Sequence, residues 1–122
     1  MREDRDTTSL PGDQLVRVLS ALANPHRLRI LALLAEGRQY VSQLAREVRL
    51  SRPLVHMHLK KLEAAGLVIS NLELSEEGKA MRYFEIAPFS LALTPRSISE
   101  AAATLGDEGE QDNDDPSAGG SK

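Results

Sequence analysis

Residues 41–66 read VSQLAREVRLSRPLVHMHLKKLEAAG, and their spacing decides the fold. Val41, Leu44, Ala45 and Val48 recur at i, i+3, i+4 and i+7, the apolar stripe of a helix of about two turns. Arg49-Leu50 then breaks the pattern. Ser51 is a good N-cap for a second helix, because its hydroxyl can accept from a free N–H of the first turn. Val55, Leu59 and Leu62 form the buried stripe of that helix, and Gly66 is its stop.

After Gly66 the period changes from helix to strand. Leu67 to Leu74 and Ala80 to Ile86 read as two strands, joined by a turn at Glu76-Glu77-Gly78 in which Gly78 is free to take positive φ. In the second strand Ala80, Arg82, Phe84 and Ile86 share one face, with Met81, Tyr83 and Glu85 on the other. Two short helices joined by a tight turn and followed by a hairpin predict a winged helix-turn-helix: mainly α with a small antiparallel β-hairpin.

Upstream, Asn24-Pro25 supplies an N-cap and a first-position proline for a helix from about His26 to Glu36, ended by Gly37. Leu28, Ile30, Leu31, Leu33 and Leu34 make that helix apolar on more than one side, which predicts a central place in the core. Before it, Leu15, Val18, Leu19 and Leu22 mark another amphipathic helix. Downstream, Pro88 ends the second strand, and Thr94-Pro95 opens a last helix to about Leu105. Leu91, Leu93, Ile98, Ala101, Ala102 and Leu105 make this end too apolar to stand alone. Burial against the first helix, of the same chain or of a second copy, is expected.

The chain has 122 residues, which fits one domain, and 41% of them are hydrophobic. The expected organisation is an N-terminal arm over residues 1–12, a domain over 13–105 and an acidic tail over 106–122. Both ends are read as disordered, and the tail has no apolar residue larger than Ala to bury. With no cysteine, disulfides, thiolate metal sites and cysteine nucleophiles are excluded. The N-terminus lacks the apolar core of a secretory signal, and the longest apolar run, Ile30 to Ala35, is too short to span a bilayer. A cytoplasmic protein without membrane association is therefore expected. No carboxylate pair, nucleophile with a placed base or phosphate-cradling glycine loop stands out, so neither an enzyme nor a cofactor is expected. His56 and His58 lie two apart on one helix and point in different directions, which makes them a poor metal pair.

The net charge of -3 is unevenly spread. Residues 15–87 carry eight Arg and three Lys against seven Glu, whereas residues 88–122 carry one Arg and one Lys against seven acids. A basic centre flanked by acidic ends is compatible with a nucleic-acid partner. The second helix of a helix-turn-helix enters the major groove, where its N-terminal residues meet base edges. Here its non-core side carries Arg52, His56, Met57, Lys60 and Lys61. Arg52 suits bidentate recognition of guanine, Ser51 and the helix start suit a phosphate, and Lys60, Lys61, Lys79 and Arg82 suit others.

LSALANPHRLRILALL, VSQLAREVRLSRPLVHMHLKKLEAAGLV and EGKAMRYFEI together resemble the ArsR-type winged-helix regulators over roughly residues 15–87. The resemblance implies a homodimer held by the first and last helices, reading an inverted repeat in double-stranded DNA and usually repressing. It extends the DNA-contact role to Ser51, Arg52, Leu54, His56, Met57, His58, Lys60 and the wing. Read from its own position, His58 is a packing or phosphate-facing residue and His26 a helix-start residue. Leu54 and Met57 depart from the polar residues usual in the family, and Arg49 stands where the turn usually holds Gly. Glu76 and Glu77 put negative charge at the wing tip. These departures keep a second reading open, a winged-helix module that binds protein through Leu54, Met57 and the last helix, with DNA binding incidental.

Overall fold

The computed structural model describes residues 10–106. The expectations for residues 1–9 and 107–122 lie outside the described part. Within it the order is α1 (Gly12–Leu22), α2 (Pro25–Leu34), β1 (Gln39–Tyr40), α3 (Val41–Val48), α4 (Arg52–Ala64), β2 (Val68–Leu74), β3 (Ala80–Ile86) and α5 (Pro95–Ala102).

Helix starts follow local chemistry. Asn24 Oδ1 accepts from Arg27 N–H at 3.1 Å, Ser51 Oγ from Leu54 N–H at 3.3 Å and Thr94 Oγ1 from Ser97 N–H at 2.9 Å. Each cap satisfies a first-turn donor three residues on, and each of the three helices has proline in its first turn. α1 opens at Gly12, inside the stretch assigned to the arm from sequence.

The chain divides into two compact units. One runs from Val18 to Phe89 and holds the helix-turn-helix and the sheet. Its core is Val18, Ala21, Ile30, Leu31, Leu34, Val41, Leu44, Ala45, Val55, Leu59, Leu62, Leu67, Val68 and Phe84, all buried. α2 is central as expected through Ile30, Leu31 and Leu34, but Leu28 is 52% exposed, so the helix is not buried all round. In α1 the stripe runs through Leu15, Val18 and Ala21, whereas Leu19 is exposed.

The expected hairpin is part of a three-stranded antiparallel sheet of order β1-β3-β2. β2 and β3 pair from Val68↔Ile86 to Leu74↔Ala80, while β1 adds Gln39↔Phe84 and Tyr40↔Tyr83. β1 has only two residues, too few for any periodicity to announce it. Its pairing brings the start of α3 against the middle of β3.

The second unit combines residues up to Arg17 with those from Ser90 onward. Here the first turn of α1 meets the end of α5 within one chain. Gly12 N–H donates to Thr104 Oγ1 at 2.7 Å, and a Cβ on Gly12 would collide with the Ala101 carbonyl oxygen and the Leu105 side chain. Leu15 and Ala101 are buried; Val16, Leu93, Ile98 and Leu105 are exposed. No helix among the described residues is long and apolar enough to cross a membrane.

Candidate nucleic-acid interface

The turn between α3 and α4 places the candidate interface. Arg49 adopts φ 60°, ψ 46°, the left-handed conformation in which a side chain costs about 1 kcal/mol relative to glycine. Leu50 N–H reaches back to the Ala45 carbonyl at 3.1 Å, which also accepts from Arg49 N–H, so both turn residues close onto the last turn of α3. Leu44, at 0% exposure, and Val41 pin α3 to the core, so the turn aims α4 in one direction.

In α4, Val55, Leu59 and Leu62 are buried, as their spacing predicts. Ser51, Arg52, Leu54, His56, Met57, Lys60 and Lys61 are all exposed on the rest of the helix. Seven of the ten residues expected at DNA therefore share one outward surface of the Val18–Phe89 unit. Arg52 is the first helical residue, beside N–H groups that favour an anion.

His58 requires a correction. It is 6% exposed and faces the interior, so the DNA-contact role implied for it by the resemblance does not fit; the packing reading does. The reason is register, because His58 falls on the same side as Val55, Leu59 and Leu62. Arg27 Nη1–H donates to His58 Nδ1 at 3.1 Å, which requires the neutral ring to carry its proton on Nε2. The Arg27 Nε–H donates to the Ala21 carbonyl at 2.7 Å, and Nη2–H to the Ser20 carbonyl at 3.3 Å. One guanidinium thus joins α4 to the last carbonyls of α1. Burial, with the nearby charges of Arg27 and His26, holds the His58 pKa below its ordinary value. The His26 and His58 rings lie 5.6 Å apart between centroids, and among the described residues no three His, Asp or Glu side chains gather as a metal-binding group.

The wing is a tight hairpin. Ser75 N–H donates to the Lys79 carbonyl and Gly78 N–H to the Ser75 carbonyl, each at 2.8 Å, and Gly78 takes φ +84° as expected of it. Lys79 is exposed at the tip together with Glu76 and Glu77. Arg82 is also exposed, but its Nη1–H donates to Ser70 Oγ at 3.2 Å, and Ser70 Oγ–H in turn donates to Glu63 of α4 at 3.1 Å. Its charge lies along the sheet towards the end of α4, away from the tip.

Sequence reasoning missed the residues that hold the wing. Glu73 of β2 takes Arg38 Nη2–H at 3.3 Å and the Tyr40 hydroxyl at 3.0 Å. The Arg38 guanidinium lies 4.0 Å above the Tyr83 ring, and Tyr40 meets Tyr83 edge-on. The Tyr40 hydroxyl is held above its ordinary pKa, first by its hydrogen bond to Glu73. Nothing in the spacing of Arg38, Tyr40, Glu73 and Tyr83 signals this cluster. It exists because β1 joins the sheet.

The profile of bacterial regulatory proteins of the arsR family matches residues 24–70, from the N-cap of α2 into β2. The chain is 43% identical over 86 residues to an HTH-type transcriptional regulator of Methanocaldococcus jannaschii, across 70% of this chain and 90% of that protein. It is 39% identical over 77 residues to the HTH-type transcriptional regulator CmtR of Mycobacterium bovis, across 63% of this chain and 62% of CmtR. Among solved structures it resembles the homodimeric winged helix-turn-helix DNA-binding domain of a possible ArsR-family regulator from Mycobacterium bovis. The TM-score is 0.52 and the identity 28%, over 83% of this chain and 81% of that domain. With the helix-turn-helix, the wing and nearly the whole of one relative's length in common, the chain belongs to the ArsR family of winged helix-turn-helix transcription regulators.

Proposed function

We propose that this protein is a homodimeric, cytoplasmic repressor that binds an inverted repeat in double-stranded DNA and acts by binding, without catalysis. The observation that carries the reading is the outward surface of α4. Its inner stripe is committed to the core, while the N-capped start, Arg52, Lys60 and Lys61 are left to solvent. A helix so presented suits the major groove. Two copies would set their α4 helices in successive major grooves, about 34 Å apart. Lys79 at the wing tip suits flanking phosphate. The exposed apolar residues Val16, Leu93, Ile98 and Leu105, on α1 and α5 or beside α5, support a dimer through the first and last helices.

The test is fluorescence anisotropy with a labelled duplex from the region upstream of the gene and a scrambled duplex, between about 50 and 200 mM salt. Preference for one upstream duplex by roughly 10³ or more, with a steep salt slope, is the expected result. Equal weak binding to both, followed by failure of a selection from random duplexes, overturns it.

A further inference from the structure

Leu54 and Met57 lie outside the buried core of the unit that carries them. Leu54 is 43% exposed and Met57 53% exposed, on a helix whose buried stripe is filled by Val55, His58, Leu59 and Leu62. They stand three residues apart and so share a side of α4. They are the third and sixth residues of a helix that begins at Arg52, which places them in the turns that meet base edges when such a helix enters the major groove. Exposed cations bracket them, Arg52 before and Lys60 and Lys61 after. That setting complements a groove walled by phosphates better than it complements an apolar protein surface.

A leucine has no hydrogen-bonding group and a methionine only a weakly accepting sulfur, so neither can read the donors and acceptors of a base edge. One feature of the major-groove edge suits them, the C5-methyl group of a pyrimidine. In unmodified DNA that group belongs to thymine; in methylated DNA 5-methylcytosine also carries it.

Resting on the DNA-binding reading above, we infer that Leu54 and Met57 are specificity-determining residues that read thymine methyl groups in each half-site. Arg52 and the lysines then supply hydrogen bonding and charge, and the apolar pair supplies discrimination of T from C and of T from U. Met57 is the more exposed of the two, and its unbranched side chain adapts to the position of a methyl group.

The experiment uses the full chain and a duplex obtained by selection from a random library. Each thymidine of a half-site is replaced in turn by deoxyuridine, which removes only the methyl group, and each cytidine by 5-methyldeoxycytidine. Affinities are measured by anisotropy for the wild type, Met57→Ala and Leu54→Ala, with circular dichroism confirming that each variant is folded. The expected result is a wild-type loss of about fourfold at one or two thymidines per half-site, the equivalent of ~0.8 kcal/mol for one buried carbon group. Met57→Ala or Leu54→Ala should lose a similar factor on the unmodified duplex and become indifferent to deoxyuridine at the matching position.

If every deoxyuridine duplex binds as well as its parent while the selected duplex still outcompetes random DNA, the thymine reading falls and the DNA-binding function stands. If only 5-methyldeoxycytidine changes affinity, the methyl group read is not thymine's and the inference is overturned. If no duplex can be selected at all, the DNA-binding function itself fails, and the apolar pair belongs to a protein contact.

Discussion

Arg52 and Lys60 are both exposed on α4, and their chemistry separates their roles. A guanidinium at the helix start can make two parallel hydrogen bonds to one guanine, whereas an ammonium two turns later is a point charge for phosphate. Arg52→Ala is expected to cost about 1–3 kcal/mol on the preferred duplex and to relax base preference at one position, as competition with single-base variants would read. Lys60→Ala should weaken cognate and random duplexes alike and reduce the salt slope by about 1. Equal losses on both duplexes for Arg52→Ala would refute its base-reading role. His58 makes a different prediction. Its folded pKa lies below the unfolded value of about 6.5, so the folded state resists protonation there. The stability tied to neutral His58 is complete above pH ~6.5 and is lost as pH falls through the lowered folded value, where protonation also sets two cations face to face at Arg27. Urea midpoints should fall on acidification below pH ~6.5, and His58→Gln, which keeps an acceptor for Arg27, should flatten that decline. A parallel decline in the variant would place its origin elsewhere.

At the scale of elements, two contacts between distant parts of the chain can be tested. Gly12 brings the start of α1 against Ala101 and Leu105 at the end of α5, with no room for a Cβ. Gly12→Ala is therefore expected to destabilise by about 1–3 kcal/mol, the usual cost of overpacking, although alanine is the better helix former. Thermal unfolding and faster amide exchange in α5 would register it, and a stabilised variant would contradict the close approach. The wing is tied to β1 by Glu73, which Arg38 and Tyr40 share. Both members of the Arg38–Glu73 pair are well exposed and screened by solvent, so Glu73→Ala should leave global stability nearly unchanged. Its larger effect is expected locally, as faster exchange of β2 and β3 amides. In Glu73→Gln the Tyr40 pKa should move back towards the ordinary tyrosine value, because the carboxylate that opposes its ionisation is gone. Ultraviolet titration of the chain's two tyrosines would detect that move.

For the whole molecule the governing quantity is the placement of charge. Residues 1–14 carry a net -2, residues 15–87 a net +4 and residues 88–122 a net -5, so a total of -3 hides a basic DNA-binding segment between acidic ends. A tethered run of carboxylates competes with phosphate for the same cations, and salt screens that competition beyond about 10 Å at 0.1 M. Deletion of residues 106–122 is accordingly expected to tighten DNA binding at low salt, with the gain shrinking as salt rises. Unchanged affinity at low salt would sink this expectation and leave the tail a solubilising end.

What the sequence determined by itself is what depends on near neighbours. Asn24, Ser51 and Thr94 each cap a helix by accepting from an N–H three residues on, so the starts of three helices were legible from side-chain chemistry alone. The stripes at Val41, Leu44 and Ala45 and at Val55, Leu59 and Leu62 encode which faces turn inward, and Gly78 marks the wing turn. Together these place most of the candidate DNA surface, from Ser51 to Lys61. Tertiary structure alone decided the rest. β1 is a strand because Gln39 and Tyr40 find Phe84 and Tyr83 more than forty residues away, and two residues carry no period of their own. His58 is taken from solvent because its place in the helical register is met by Arg27 of α2. Leu28 is left exposed although its helix is central, because burial follows which neighbours arrive and not how apolar a side chain is.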